Sequence, residues 1–582
     1  MKKLMLGNEA VARGAYEAGV RVCSSYPGTP STEVTEVMSK MYDDVYSEWA
    51  SNEKVACEVA LGASFGGARS MTCMKHVGLN VAADPLYTAS YTGVNGGFVA
   101  VVADDPGLHS SQNEQDTRNH GKASKIPVIE PSDSSECKEF MRLAFDFSEK
   151  FDTPVILRLT TRIAHSQSLV EVGERYEAEL KDIEKNPGKY VMMPAMAKKR
   201  HEYVEKRLKD IADYGYDCPF NSVEINDTKI GIITCGISYQ YAKEALPNAS
   251  FLKLGITYPI SEKLIKDFAS KVEKVYVIEE LDPFVEDFCR SIGVEVTGKE
   301  IFTLLGEYNP QMIKKAILGV DAPEYVKPNE DIPVRPPVMC PGCPHRGMYY
   351  VLKKLGLTVC GDIGCYTLGA LPPLSSVDYC VCMGAGIGMA HGMEKARGKD
   401  FTEKLVAVIG DSTFIHSGIT GMIDVVYNKG ISTIIILDNS ITGMTGHQQN
   451  PTTGFTIKGE PTKNVDLVKL ANAVGIERVT VADPFDLENF EKVVKEEVAA
   501  KEPSVIISQR PCALLKSVNY GKPCYIDTEK CKNCKMCMKL GCPAISIKDN
   551  KISIDASQCN GCMLCTNVCK FGAIKKAGAD NE

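Results

Sequence analysis

The sequence predicts an α/β protein of several domains, built mainly from doubly wound parallel sheets and ending in a small cysteine-rich module. Three observations carry that prediction. Short apolar, β-rich runs recur between helical stretches, the pattern of parallel strands buried on both faces. The composition, 44% hydrophobic and 24% charged over 582 residues, is that of an ordinary globular chain too long for one core. Near the C-terminus, cysteines crowd into two runs that begin at Cys531 and Cys559.

Taken in order, residues 1–170 contain the expected strands "GFVAVVAD" (97–104) and "TPVILRL" (153–159) and form a first α/β domain. Residues 171–224 are rich in Glu and Lys and read as a helical linker with solvated faces. A second α/β domain, 225–325, carries "KIGIITCG" (229–236) and "KVYVIEE" (274–280). Closely spaced prolines in "DAPEYVKPNEDIPVRPPVMCPGCPHRG" then break the chain. A third α/β domain, 335–515, holds "KLVAVIGD" (404–411), "STIIILDN" (432–439) and "PSVIISQ" (503–509), and residues 520–577 form the cysteine module.

Several classes are excluded. No stretch of about 18 apolar residues is present to span a bilayer, and Asn8 and Glu9 interrupt the N-terminal apolar run too early for a signal peptide. A cytoplasmic protein is expected, in which 23 cysteines are thiols or metal ligands rather than disulfides. The net charge of -8 argues against nucleic acid as a partner.

Each C-terminal run is Cys-x2-Cys-x2-Cys with a trailing cysteine: Cys531, Cys534, Cys537 and Cys542, then Cys559, Cys562, Cys565 and Cys569. Three such thiolates wrap three corners of a cubane, and in two-cluster ferredoxins the fourth cysteine completes the partner cluster. The expected 4Fe–4S sets are therefore Cys531, Cys534, Cys537 with Cys569, and Cys559, Cys562, Cys565 with Cys542. A zinc site usually needs two pairs of ligands instead. Two departures stand out: four residues precede Cys542, and Lys570 occupies the usual proline position. A ferredoxin unit does no organic chemistry itself, so a source of electrons is expected upstream.

"VIGDSTF" ends a strand at Gly410 and Asp411, and "IIILDNSITGMTG" ends the next at Asp438 and Asn439. This resembles the thiamine diphosphate fold. Asp411, the Asn439 amide oxygen and the Ile441 carbonyl are hard oxygen ligands suited to Mg2+ bridging a diphosphate, with Thr442 beside them. Gly384, Gly386 and Gly388 in "MGAGIGMAHGM" could let a helix N-terminus approach phosphate. A thiamine enzyme also needs a glutamate at the aminopyrimidine ring, where it promotes loss of the thiazolium C2 proton. In "EWASNEKVACEVALGASFGGARSMTC", Glu53 stands nine residues before Gly62, the fitting spacing; Glu58 and Glu48 are its rivals.

Together "YPGTPSTE" (26–33), "CPGCPHRGMYY", "GDIGCYTLG" and "DNSITGMTGHQQNPTTG" resemble the 2-oxoacid:ferredoxin oxidoreductases, and within them the large subunits of the indolepyruvate ferredoxin oxidoreductase family, over almost the whole chain. The resemblance implies a pyrimidine-binding first domain and a transketolase C-terminal-like second domain. It implies a thiamine diphosphate/Mg2+-binding third domain and a two-cluster ferredoxin module. It makes Glu53 the aminopyrimidine partner, Thr29 a substrate-side hydroxyl, and brings Lys75 and His76 in "MKHVGLN", and the loop "HSSQNEQDTR" (109–118), towards the active centre. Related enzymes place a further cluster near the thiamine, and Cys340, Cys343, Cys365 and Cys512 are the matching set, with Cys360, Cys380 and Cys382 nearby; the cluster count is two or three. The implied reaction is oxidative decarboxylation of an arylpyruvate with coenzyme A, electrons passing to ferredoxin. The missing catalytic module implies a small (beta) subunit, in a heterodimer or dimer of heterodimers. The alternatives are a different 2-oxoacid, a decarboxylation without oxidation, or an electron-transfer subunit with an inactive thiamine site.

Overall fold

The computed structural model describes residues 1–321, 332–333 and 335–578. The chain forms two compact units that divide near residue 330; the expected boundary at 325 lies outside the described residues. All seven apolar runs singled out above are strands, and every one has a parallel neighbour.

The first unit is centred on a seven-stranded sheet, in the order Tyr46–Trp49, Val22–Ser25, Ser70–Lys75, Phe98–Asp104, Val155–Thr160, Val128–Ile129 and Ile256–Tyr258. Its pairings are parallel except the last. Alternation along the strands feeds two cores. Val99, Val101 and Leu157 pack with helices Gly7–Glu17 and Ser134–Phe151, whereas Phe98, Ala100 and Ile156 pack with Glu53–Phe65 and His76–Thr92. The strand Ile256–Tyr258 comes from the second α/β region, which otherwise forms its own sheet of Lys274–Ile278, Asp227–Cys235, Ala249–Leu254 and Ser222–Glu224.

Between 171 and 224 the helix is confined to Pro187–Tyr190 and Pro194–Tyr214. Residues 172–186 have no regular structure and run along the first sheet domain. There the Tyr176 amide donates to Glu17 O at 2.9 Å and the Lys181 amide to Gly67 O at 3.1 Å. With few apolar side chains to cover a helix face, this stretch satisfies its main chain on its neighbours instead.

The two larger sheets of the first unit are joined by a buried lattice of charge. The Arg118 guanidinium donates to Asp116 and Glu279 and to the carbonyls of Glu280 and Asp282. Arg158 donates to Asp104 and Glu130. Burial works against the charge on Asp116, but Arg118 and Arg158 hold its carboxyl down at about 2. Removing one partner leaves the others buried and uncompensated. Arg118→Met is therefore expected to cost about 3–5 kcal/mol of unfolding free energy, read as a lower urea midpoint for the first unit. An unchanged midpoint would show that the lattice is not what couples the two sheets.

The second unit has a five-stranded, wholly parallel sheet in the order Thr358–Cys360, Leu405–Gly410, Thr433–Asp438, Ser504–Gln509 and Arg478–Ala482. It is again buried on both faces: Val406, Val408, Ile435 and Leu437 enter one core, and Leu405, Ala407, Ile434 and Ile436 the other. The cysteine module follows, with hairpin Ile545–Lys548/Lys551–Ile554 and the strand pair Cys524–Ile526/Ile574–Lys576. It is tied to the sheet domain by Arg346, whose guanidinium donates to Cys340 O at 3.2 Å and to Met339 O on its own side, and to Leu540 O at 3.0 Å and Gly541 O across the junction. No described helix is long and apolar enough to cross a membrane.

Candidate functional site

In the first unit, polar groups gather at the carboxyl ends of strands Val22–Ser25 and Ser70–Lys75, where open α/β sheets take ligands. Glu53 opens its helix behind an Asn52 cap that accepts from the Val55 amide at 2.9 Å. Its side chain is 4% exposed. Gly78 makes that position possible, since a Cβ there would lie 2.6 Å from Glu53 Oε1. The rivals differ: Glu58 is exposed and lies 3.9 Å from Lys54, and Glu48 accepts from Ser24 and Tyr46.

Strand Ser70–Lys75 delivers Lys75 and His76 together. Lys75 Nζ donates to Ser110 O, and burial pulls its pKa down to about 8. His76 is 1% exposed; Nε2 lies 3.1 Å from Asn113 O, and Nδ1 has no partner. Gly28 packs on Lys75, with room for a Cβ only at 3.2 Å, and Ser110 Oγ donates to Thr29 O at 3.4 Å. Thr29, Lys75, His76 and the 109–118 loop thus meet, with Glu53 reached through Gly78 two residues beyond His76.

In the second unit, Asp411 ends strand Leu405–Gly410 and is 3% exposed. Burial first, then the nearby Asp438 carboxylate, pushes its pKa to about 7, against hydrogen bonds from the Ser412 amide at 2.7 Å and Thr452 Oγ1 at 3.3 Å. Asn439 turns off strand Thr433–Asp438, and Thr442 Oγ1 bonds Ser412 Oγ at 2.9 Å while accepting from Asn450 at 3.2 Å. Asp411 and Asn439 offer oxygen donors of the kind Mg2+ takes.

The glycines sort themselves. Gly384 caps helix Ala385–Arg397 at φ 84°, and a Cβ there would lie 2.2 Å from Ser417 Oγ. A Cβ at Gly386 would meet Gly361 O at 2.8 Å, and one at Gly410 the Tyr366 ring at 2.6 Å. Gly388 has open space around it. At the same helix N-terminus sits a residue that sequence reasoning missed, Asp362. Its Oδ1 accepts from the Gly384 amide at 3.0 Å and the Ile363 amide at 2.7 Å, while Oδ2 is buried without a partner. Burial raises its pKa to about 7. Its place in "GDIGC" was the signal available.

The cysteines converge as sets. A cavity is lined by Cys531, Cys534, Cys537 and Cys569, and a second by Cys542, Cys559, Cys562 and Cys565. The second also contains Cys524, which lies outside both sequence runs; its amide donates to Cys559 Sγ at 3.3 Å. Cys340, Cys343, Cys365 and Cys512 influence one another electrostatically. Burial, then Cys365 and Cys340, raises Cys343 to about 12, and burial, then Cys512 and Cys340, raises Cys365 to about 11. Cys360 instead faces Met393 in the core. Among the described residues no three His, Cys, Asp or Glu side chains draw close enough for a single metal ion. Thiolates at separate corners of a cubane need no such convergence.

Comparison with known proteins agrees with this arrangement. Residues 13–225 match the family "Pyruvate flavodoxin/ferredoxin oxidoreductase, thiamine diP-bdg", residues 362–508 "Thiamine pyrophosphate enzyme, C-terminal TPP binding domain", and residues 551–574 a "4Fe-4S binding domain". Parallel sheets carrying thiamine modules and a ferredoxin module define a thiamine diphosphate-dependent 2-oxoacid:ferredoxin oxidoreductase. A protein of Archaeoglobus fulgidus named indolepyruvate oxidoreductase subunit IorA is 43% identical over 99% of this chain and 98% of its own. The protein of that name from Pyrococcus horikoshii is 41% identical over 99% and 97%. The chain belongs to this indolepyruvate oxidoreductase large-subunit family. A Methanocaldococcus jannaschii protein named 2-oxoglutarate synthase subunit KorA is 24% identical over 54% of this chain and 99% of its own.

The closeness of Gly78 to Glu53 provides a test of the first constellation. Gly78→Ala should displace the Glu53 carboxyl and lower kcat by about 10–100-fold, the order expected for a misplacement near 1 Å. The helical circular dichroism signal should be retained. Full activity in this variant would separate Glu53 from the chemistry.

Proposed function

We propose that this chain is the large subunit of an enzyme converting an arylpyruvate, such as indolepyruvate, and coenzyme A to an arylacetyl-CoA and carbon dioxide. Two oxidised ferredoxins take one electron each, and one proton is released. Residues 1–170 serve as the pyrimidine domain, 225–325 as a transketolase C-terminal-like assembly domain, 335–515 as the diphosphate domain and 520–577 as the ferredoxin module. The enzyme works in the cytoplasm as a heterodimer, or dimer of heterodimers, with a small subunit. The names of the 41–43% identical relatives support the aryl substrate.

Thiamine diphosphate, when bound, supplies the carbon nucleophile and electron sink. Glu53 is assigned the proton at the aminopyrimidine, a role that its burial at a helix start favours. Asp411, Asn439 and the Ile441 carbonyl are assigned to Mg2+, with Thr442, Gly384, Gly386 and Gly410 around the diphosphate. The fit rests on the donor set and on glycines that bring the helix N-terminus in close, Gly384 against the Ser417 side chain and Gly386 against the Gly361 and Cys360 carbonyls. Thr29 and His76 are assigned to the substrate, His76 through its unpartnered Nδ1.

The observation that carries the redox reading is the line of thiolates in the second unit. The Cys512 amide donates to Asn439 O at 2.9 Å, and Gly443 leaves Cys365 Sγ close to the same loop. Cys340 and Cys343 complete that set. Pro341 and Gly342, between them, form a wall of the Cys542/Cys559/Cys562/Cys565 cavity. These contacts favour the larger of the two cluster counts, three, with the first beside the Asn439 loop and the last in the Cys531 set.

Anaerobic mixing of the reconstituted two-subunit enzyme with indolepyruvate should reduce clusters seen by electron paramagnetic resonance, faster than with pyruvate or 2-oxoglutarate. Glu53→Gln should slow that reduction at least 100-fold. Clusters that remain oxidised with every 2-oxoacid would leave an electron-transfer subunit fed by another donor.

The Asp411 assignment has a pH signature. Its proton must leave before Mg2+ binds, and its pKa lies near 7 rather than in the usual carboxylate range. The affinity for Mg2+ at saturating thiamine diphosphate should therefore fall towards tenfold per unit as pH drops below about 7, measured by calorimetry. An affinity flat between pH 6 and 8 would count against Asp411 as a ligand.

A further inference from the structure

We propose that the surface around the Cys531/Cys534/Cys537/Cys569 set, with Lys530, Lys532, Lys535 and Lys570, is the docking site for a small acidic iron–sulfur protein that takes the electrons. This rests on the cluster reading given under Proposed function. Its independent support is charge and exposure.

Residues 520–578 contain ten lysines against four carboxylates, an excess of six positive charges that the chain's net charge of -8 conceals. An oxidised cubane with four thiolates carries about two negative charges, so the module stays positive with both clusters bound. Lys532 and Lys535 line the first cavity, as does Phe571, which is 47% exposed. Lys530, Lys532, Lys535 and Lys570 are all exposed. None of the four is ion-paired among the described residues; Asp527, just ahead of the first run, is held by Lys575 at 3.4 Å. Cys534 is the one exposed cysteine of the eight in the two runs. Lys532, Lys535 and the apolar Phe571 on the wall that holds the exposed Cys534, with Lys530 and Lys570 flanking the set in the chain, suit a partner of opposite charge that must bring its own redox centre close.

The other approach to the module has the opposite sign. A cavity of about 490 Å³ reaches Cys562 but is walled by Asp483, Asp486 and Glu488, and its Arg510 is already paired with Asp483. An acidic carrier is repelled there and steered to the lysine face.

The test uses the complete two-subunit enzyme with a strongly acidic two-cluster ferredoxin as acceptor. The double variant Lys532→Glu/Lys535→Glu is expected to lower kcat/KM for ferredoxin by at least tenfold at low salt, mainly through KM, and to lose most of the wild type's salt dependence. Reduction of methyl viologen, a small dication, and the paramagnetic resonance signals of the clusters should be unchanged. Unaltered kcat/KM for ferredoxin would overturn the docking site. So would a wild type that reduces an acidic flavoprotein but not the ferredoxin. If clusters are absent or never reduced by substrate in the wild type, the underlying redox reading falls, and the docking proposal with it.

Discussion

Parallel strands fix where this protein can do chemistry. Each must be followed by a crossover before the next can pair, so all their carboxyl ends face the same edge, and both faces are covered by helices. Polar side chains that follow the strands directly are gathered at that edge. In the first unit it receives Thr29, Lys75 and His76, and in the second Asp411, Asn439 and the start of the Asp362 loop. The buried Arg118–Arg158 lattice adds to the same edge in the first unit, since Asp104 and Arg158 lie at or near strand ends.

Burial then sets the electrostatics. Asp411 and Asp362 are both raised to about 7, and Lys75 is lowered to about 8, in each case chiefly by desolvation. Such groups are costly unless something binds them. Asp411 and Asp362 each carry that cost, one at the end of strand Leu405–Gly410 and the other at the N-terminus of helix Ala385–Arg397. Asp116 shows the contrast: equally buried, it has its counter-charges built in and stays ionised.

The second unit solves a separate problem, holding a loop-rich cysteine module in register with a sheet domain. Arg346 does this through carbonyls on both sides of the junction, aided by Asn560, which donates to Pro341 O at 3.0 Å, and Asn567, which donates to Phe485 O at 2.6 Å. Carbonyl acceptors fix the main chain itself, and so fix the cysteines on it.

The strands and the class of fold are legible in the chain before folding, because period and β-branched composition are local properties. The spacing of the two C-terminal runs is likewise local, and the same groupings of cysteines line two separate cavities. Which polar side chains are buried together emerges only in the folded molecule. Glu53, Glu58 and Glu48 look alike in a chain, and only folding buries the first and exposes the second. Cys524, Asp362 and Arg346 gain meaning from neighbours far away in sequence, and Ile256–Tyr258 joins a sheet begun by residues more than a hundred positions earlier. Burial is set by the packing of distant segments, so no local pattern of residues encodes it.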